Sequence, residues 1–196
     1  MKLFTAKCLT VFSVIFIAAL CGCTTISKTY NMKKCEYTYK SLTNVTIGGV
    51  NASNGISLVD APKILLLLNS QNSSIPLSFL LTLDVKNPTD SEAAFHGMTY
   101  KINIDGMDFS DGSIDEPFSV AAGATKPLSL KIGTDVAELI RKHSREKVLN
   151  MVQNFVGLGS DKTTVHVELK PKVLVGTQVV TSPVTFPVDF TFGGKK

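Results

Sequence analysis

The groups able to do chemistry are few in this chain, and their spacing argues against most of what they could do. His96, His143 and His166 are its three histidines, and no two stand at the short separation that lets a pair share one metal ion. The stretch DGMDFSDGSIDE, residues 105–116, gathers Asp105, Asp108, Asp111, Asp115 and Glu116. A calcium loop needs oxygen donors two residues apart and a glutamate at its twelfth position. Here the carboxylates fall three apart, so hairpin turns and solvated faces account for them better. GGVNASNG, residues 48–55, lacks the Gly-Lys-Ser/Thr ending of a phosphate loop, and no helical pattern follows it directly. It reads as a turn. There is no Gly-x-Ser-x-Gly elbow to expose a serine nucleophile, and Cys35 has no histidine near it in sequence. No catalytic residue, metal site or cofactor is assigned, and the chain is expected not to be an enzyme.

Two further cysteines carry a different chemistry. Lys2 and Lys7 precede twelve mostly apolar residues, Leu9 to Leu20. That run is short of the about 20 residues a membrane-spanning helix needs, but it suits the apolar stretch of an export signal. Leu20-Cys21-Gly22-Cys23 then resembles a bacterial lipoprotein box: an aliphatic residue, a free position, a small residue and the cysteine that receives lipid. The competing cut, Ala18-Ala19-Leu20-Cys21, puts bulky Leu20 where a small residue is wanted. Residues 1–22 are therefore expected to be a signal peptide and Cys23 an acylated N-terminus, a stronger anchor than a single chain gives. Residues 23–34 then read as a short polar tether, and 35–196 as the folded domain. Thr24, in place of an aspartate, follows that cysteine with no acidic run beside it; the resemblance to bacterial lipoproteins then implies an outer-membrane anchor facing the periplasm, in a host with two membranes.

Removing residues 1–22 leaves 174 of the 196, enough for one domain with its own core. It also removes Lys2 and Lys7, so the net charge falls from +4 to +2. So small a balance is no nucleic-acid signature. Cys35 is left without a disulfide partner, so the fold must rest on its core, with Cys35 in a linker or edge position.

The elements that would carry these residues are mostly strands. Ile75, Leu77, Phe79, Leu81, Leu83 and Val85 are apolar at every second position, the pattern of a strand with one face in a core. The same alternation runs through 98–104, 128–132, 165–169 and 184–192, with weaker strands at 36–47 and 172–181. Asp105-Gly106 between two such runs predicts a hairpin, and Asn87-Pro88 should end the long strand. Short antiparallel strands at this spacing predict an immunoglobulin/fibronectin-III-like β-sandwich. One long helix interrupts them: Thr134 or Asp135 can cap it. Val136, Leu139, Ile140, Val148, Met151, Val152 and Phe155 share its apolar face, and Gly157 lies just past its end. Residues 61–68 fit a short helix capped by Asp60 with Pro62 in its first turn, although Leu65–Leu68 fit a buried strand as well.

LTLDVKNPTDSEAAFHGMTYKINIDGMDFSDG runs strand, Asn-Pro, loop, Tyr-x-Ile-x-Ile-Asp-Gly and a second strand. It resembles the WHy domain, the water-stress and hypersensitive-response module of type 2 late embryogenesis abundant proteins. The positions that carry the likeness are Asn87, Pro88, Tyr100, Gly106 and Gly112, followed by AAGATKPLSLKI at 121–132. The resemblance implies a sandwich with a helix, no catalytic residues, no cofactor, and protection of other proteins during dehydration or other stress. It leads to the expectation of a lipid-anchored, non-catalytic envelope protein whose partners are the membrane, through its lipid, and client proteins. An interaction subunit of an envelope assembly, or a carrier of an apolar ligand in a cavity between the sheets, are the alternatives. Arg141, Lys142 and Arg145 give the long helix a basic surface that could meet anionic headgroups, at about 1 kcal/mol per charge; Glu138 and Glu146 dilute it, and a solvated face is the plainer reading. Leu65 and Leu66 are core if buried and a binding patch if exposed.

Overall fold

The computed structural model describes residues 27–53, 60–69, 74–155, 159–175 and 177–193. The expected signal peptide, with Cys21, and also Cys23 and Gly157 lie outside them. Within them the chain is mainly β and its sheets are antiparallel. Helix α1 (27–34) leads into β1 (Glu36–Ile47) and β2 (Val50–Asn51), and α2 (Ala61–Asn69) precedes β3 (Pro76–Lys86). Then come β4 (Ala93–Phe95), β5 (Gly97–Ile104), β6 (Met107–Ile114), β7 (Phe118–Val120) and β8 (Thr125–Asp135). Helices α3 (Val136–Lys142) and α4 (Arg145–Phe155) lead to β9 (Lys162–Val175), β10 (Gln178–Thr181) and β11 (Phe186–Gly193).

One sheet has the order β2-β1-β3-β8. The other runs β10-β9-β5-β6, and β11 shares with β10 the free edge of β9. Period-two patterning assembles both. Ile75, Leu77, Phe79, Leu81, Leu83 and Val85 are all buried, and β5 and β9 turn Ile102, Ile104, Val165, Val167 and Leu169 to meet them. Side chains close the two flanks. Tyr39 stacks on Phe190 with centroids 4.9 Å apart, and on the opposite flank Ser110 Oγ donates to Gly133 O at 2.8 Å. Asp105 and Gly106 have φ of 50° and 79°, the double left-handed turn of a tight hairpin, as Asp-Gly predicts.

Three expectations need correction. The helix expected as one piece is two. His143 leaves helical geometry at φ −130°, ψ 171°, and Ser144 O accepts from Val148 N at 3.1 Å to start α4 afresh. A serine competes well for the capping position, so the break costs little. The apolar face itself is as expected: Val136, Leu139, Val148, Met151, Val152 and Phe155 are buried. The tether residues 27–34 form a helix. Its Thr29 Oγ1 donates to Ala94 O at 3.2 Å, Asn31 Nδ2 donates to Ser91 Oγ at 2.9 Å, and Met32 is fully buried. Cys35 is accordingly a core residue beyond the helix end, and burial pushes its thiol up to about 11. Residues 172–181 do not form one strand. β9 runs through Pro171 to Val175 and the chain returns as β10. The helix at 61–69 is as expected, and its leucines split, with Leu68 buried and Leu66 73% exposed.

Candidate functional site

The densest polar arrangement among the described residues centres on Asn87, where β3 ends. Its side chain is fully buried. The amide nitrogen donates to three carbonyls: Ser91 O at 2.8 Å, Val120 O at 3.1 Å and Ala121 O at 3.2 Å. The amide oxygen accepts from Thr89 N at 3.1 Å and Thr89 Oγ1 at 2.7 Å, and the backbone N–H of Asn87 donates to Ala124 O at 2.9 Å. A carboxamide is the side chain that suits this position, because it offers donors on one arm and an acceptor on the other. Asn87 thereby ties the β3–β4 loop to the β7–β8 loop, and Ser91 of that loop, with Ala94 of β4, forms the seat of α1. The proline that follows ends the ladder and lies exposed, as Asn-Pro predicts.

Tyr100 and Gly112 form a second fitted pair. They are directly opposed across β5 and β6, and Tyr100 OH donates to Lys131 O at 3.2 Å in the facing sheet. A Cβ on Gly112 would stand 2.5 Å from that hydroxyl and 2.6 Å from Cζ, so only glycine lets the ring cross to the other sheet. Burial raises the Tyr100 phenol, and Asp111 adds to the shift. These links are structural in kind: they fix loops and join sheets.

The other charged groups among the described residues are held in ion pairs or lie singly. A groove of about 510 Å³ lies along β6, β8 and α3, and its walls include Asp108, Lys101, Glu138 and Lys142. Lys101 bonds Asp108 at 3.1 Å and Lys142 bonds Glu138 at 2.6 Å, and each lysine pulls its carboxyl below the ordinary range. A general acid needs the opposite shift, toward neutrality. His166 stands on the outer face of β9 with Nδ1 2.5 Å from Asp189 Oδ1, a contact that raises the imidazole. The arrangement holds an exposed ion pair beside β11. Among the described residues no three His, Cys, Asp or Glu side chains converge on a metal-sized point. The cavity between the sheets, lined by Phe79, Ile102, Phe155 and Phe192 among others, measures about 10 Å³. That is room for about one water, so this cavity gives an apolar ligand no seat.

The family model for late embryogenesis abundant protein matches residues 82–189, more than half of the chain. The chain belongs to the late embryogenesis abundant protein family. No curated protein matches it. Among solved structures, an Archaeoglobus fulgidus protein is 17% identical with a TM-score of 0.37, over 81% of this chain and 99% of that one. A solution structure from Arabidopsis thaliana is 15% identical with the same TM-score, over 65% of this chain and 77% of its own. A solution structure of a late embryogenesis abundant (LEA) protein is 12% identical, again at 0.37, over 98% and 89%.

The positions expected to carry the family likeness have physical roles in this chain. Asn87 knots two loops, Pro88 stops β3, Gly106 takes a left-handed turn, and Gly112 makes room for Tyr100. Gly112→Ala should lower stability by about 1–3 kcal/mol, since an extra methyl in a packed seam forces side chains off their minima. Thermal melts of Gly112→Ala, Tyr100→Ala and the double variant would show it: the double should cost less than the sum of the singles. Strict additivity would mean that the two side chains do not meet.

The residues expected to face a partner gather at one end of the molecule, but two of the three cations are already engaged. Lys142 is held by Glu138, and Arg145 Nη2 donates to Leu68 O at 2.8 Å, capping the end of α2. Arg141 and Leu66 are exposed on the same end of the molecule; the side chain of Leu65 lies outside the described residues. That end carries the start of β3 and the end of β8, which pair as Pro76 with Asp135. Helix α1 sits at the other end, where Glu36 pairs with Lys86. Eleven residues of β3 separate the two ends, roughly 35 Å at the rise of an extended strand.

Proposed function

We propose that this chain is a lipid-anchored envelope protein whose domain, of the WHy type with an immunoglobulin- or fibronectin-like sandwich, protects neighbouring proteins or membrane under dehydration or related stress. It does so by standing between its clients, without turnover, metal or cofactor. The observation that carries the reading is the family match over residues 82–189, which contains the whole Asn87 and Tyr100–Gly112 framework. The groove along α3 supports it as well, since Asp108 and Glu138 in its walls are each paired with a lysine. The lipoprotein box ending at Cys23 supports an anchor, and the neighbouring Thr24 an outer-membrane position facing the periplasm.

The test is protection itself. The full chain, purified from membranes in detergent, is dried and rewetted with a desiccation-sensitive enzyme, beside an inert protein at equal mass in the same detergent. Clearly higher recovered activity is expected with this chain. Equal recovery would reduce the likeness to one of fold.

A further inference from the structure

Most of the exposed large apolar side chains among the described residues gather at one end; Tyr39, stacked on Phe190, and Leu66, at the far end, stand apart. Among the described residues, Tyr30, Val175, Val179, Val180 and Val184 lie on α1, β10 and the segments that flank β10, all at the α1 end. β5 stops pairing with β9 at Lys172, so the rest of β9 and all of β10 project as a two-stranded arm. Val173 faces Val180 across this arm and Leu174 faces Val179, so both of its faces are apolar. Val179 is 56% exposed and Val180 46%. Between the arm and α1 runs a groove of about 210 Å³, lined by Tyr30, Lys33, Val173, Val184 and Phe186. An arm with valines on both faces and little to pack on is unstable as a solvated device.

We propose that this arm and Tyr30 form the surface by which the domain sits in a lipid bilayer, with β10 dipping into the headgroup boundary. Where the chain meets its proposed anchor argues for this occupant. Only residues 24–26 separate Cys23 from the first residue of α1, a reach of about 10 Å when fully extended. Lipid on Cys23 therefore holds the α1 end at the membrane and keeps the Arg141–Arg145 end roughly 35 Å away. Charge fits too. No acidic residue occurs from Lys170 to Pro187 or from Thr24 to Lys34. Of the nearby carboxylates, Glu92 is taken up by Lys28 at 2.6 Å and Asp115 by Lys172 at 2.5 Å, while Asp90 and Glu116 face solvent. Lys33 edges the groove, and Lys34 stands 5.0 Å above the Tyr30 ring. Aromatic and lysine side chains around an apolar tip make up the composition of an interfacial anchor. The arm thus acts as a second foot beside the lipid, fixing the orientation of the domain.

This inference rests on the lipid-anchor reading, and one experiment separates the two. The chain has no tryptophan, so Val179→Trp and Leu66→Trp each give a single indole reporter, at the arm and at the far end. Both full-length variants are reconstituted in vesicles of phosphatidylethanolamine and phosphatidylglycerol, 3:1, with mass spectrometry of the N-terminus to read lipidation. Lipids brominated high on their chains should quench the arm reporter at least several-fold more than the far-end reporter, while aqueous iodide quenches chiefly the far-end one. A second arm of the experiment uses Val179→Ser/Val180→Ser in the Cys23→Ser chain, which should bind the same vesicles on the order of tenfold less than Cys23→Ser alone. Lipidated Val179→Trp protein whose indole stays open to iodide would overturn the inference and leave the anchor intact. An indole shielded from both quenchers in that variant would overturn it as well, and would assign the arm to a second copy or to the chain's own apolar run 9–20. Quenching of the arm reporter by lipid in a protein without acyl groups would uphold the arm and remove the anchor reading.

Discussion

Replacing Asn87 with alanine should destabilise the protein by about 2–4 kcal/mol, because it removes at once every hydrogen bond of a fully buried side chain; Ser91 O keeps only Thr89 Oγ1 and Ala121 O only the Ala124 N–H. Its amide nitrogen serves three carbonyl oxygens, and Val120 O lies in a fully buried contact. Water cannot replace those donors without opening the junction between the two loops. Asn87→Asp is an informative companion. At neutral pH a carboxylate would point at three carbonyl oxygens with no proton to offer, so the loss should equal or exceed that of alanine. On acidification the carboxyl regains a proton it can donate, and the gap to wild type at the same pH should narrow. Thr89→Val removes only one hydroxyl from the network and should cost about 1 kcal/mol. Denaturant melts would measure all three. Because the same loop holds Thr29 and Asn31, hydrogen exchange in α1 should also quicken in Asn87→Ala. An Asn87→Ala chain within about 0.5 kcal/mol of wild type, the range of ordinary surface changes, would remove the physical reason offered for this motif residue.

Phe155→Ala should cost as much or more, about 3–5 kcal/mol. The ring ends α4 and packs among aromatic rings from both sheets. It lies 4.9 Å from Phe79, 6.0 Å and nearly parallel to Phe109, and 4.9 Å edge-on to Phe192. The adjoining cavity of about 10 Å³ shows how closely these rings fill the space, so truncation leaves a hole that the rings cannot easily collapse into. Phe155→Leu should cost about half as much, and Lys147→Ala on the exposed face of α4 almost nothing. A Phe155→Ala melt within about 1 kcal/mol of wild type would mean that α4 rides on the sheets without sealing them.

Strands were the most legible part of the sequence, because one buried face forces period two; β3 shows it from Leu77 to Val85, with every second residue buried. Turns with a stated requirement were equally legible, Asp105-Gly106 above all. What could not be read depends on contacts remote in sequence. Residues 27–34 are polar and lack a helical stripe, and they fold because Thr29 and Asn31 find partners some 60 residues away. Val173, Leu174, Val179 and Val180 read as ordinary strand residues, since nothing local says that β5 stops at Lys172. The Asn87-Pro88 and Tyr100 positions were visible through their likeness to a family, but their physical role was not. A buried asparagine and a turn asparagine look the same until the carbonyls around it are in place.

The most direct measurement is a titration of protection. A desiccation-sensitive enzyme is dried with increasing amounts of this protein, and recovered activity is followed against the molar ratio. If the domain acts by standing between clients, recovery should rise in proportion to the protein added, level off only near or above one domain per client, and fall away when Asn87→Ala has unfolded it. Recovery no better than with an inert protein at every ratio, or full recovery at a few domains per thousand clients, would contradict a stoichiometric, non-catalytic shield.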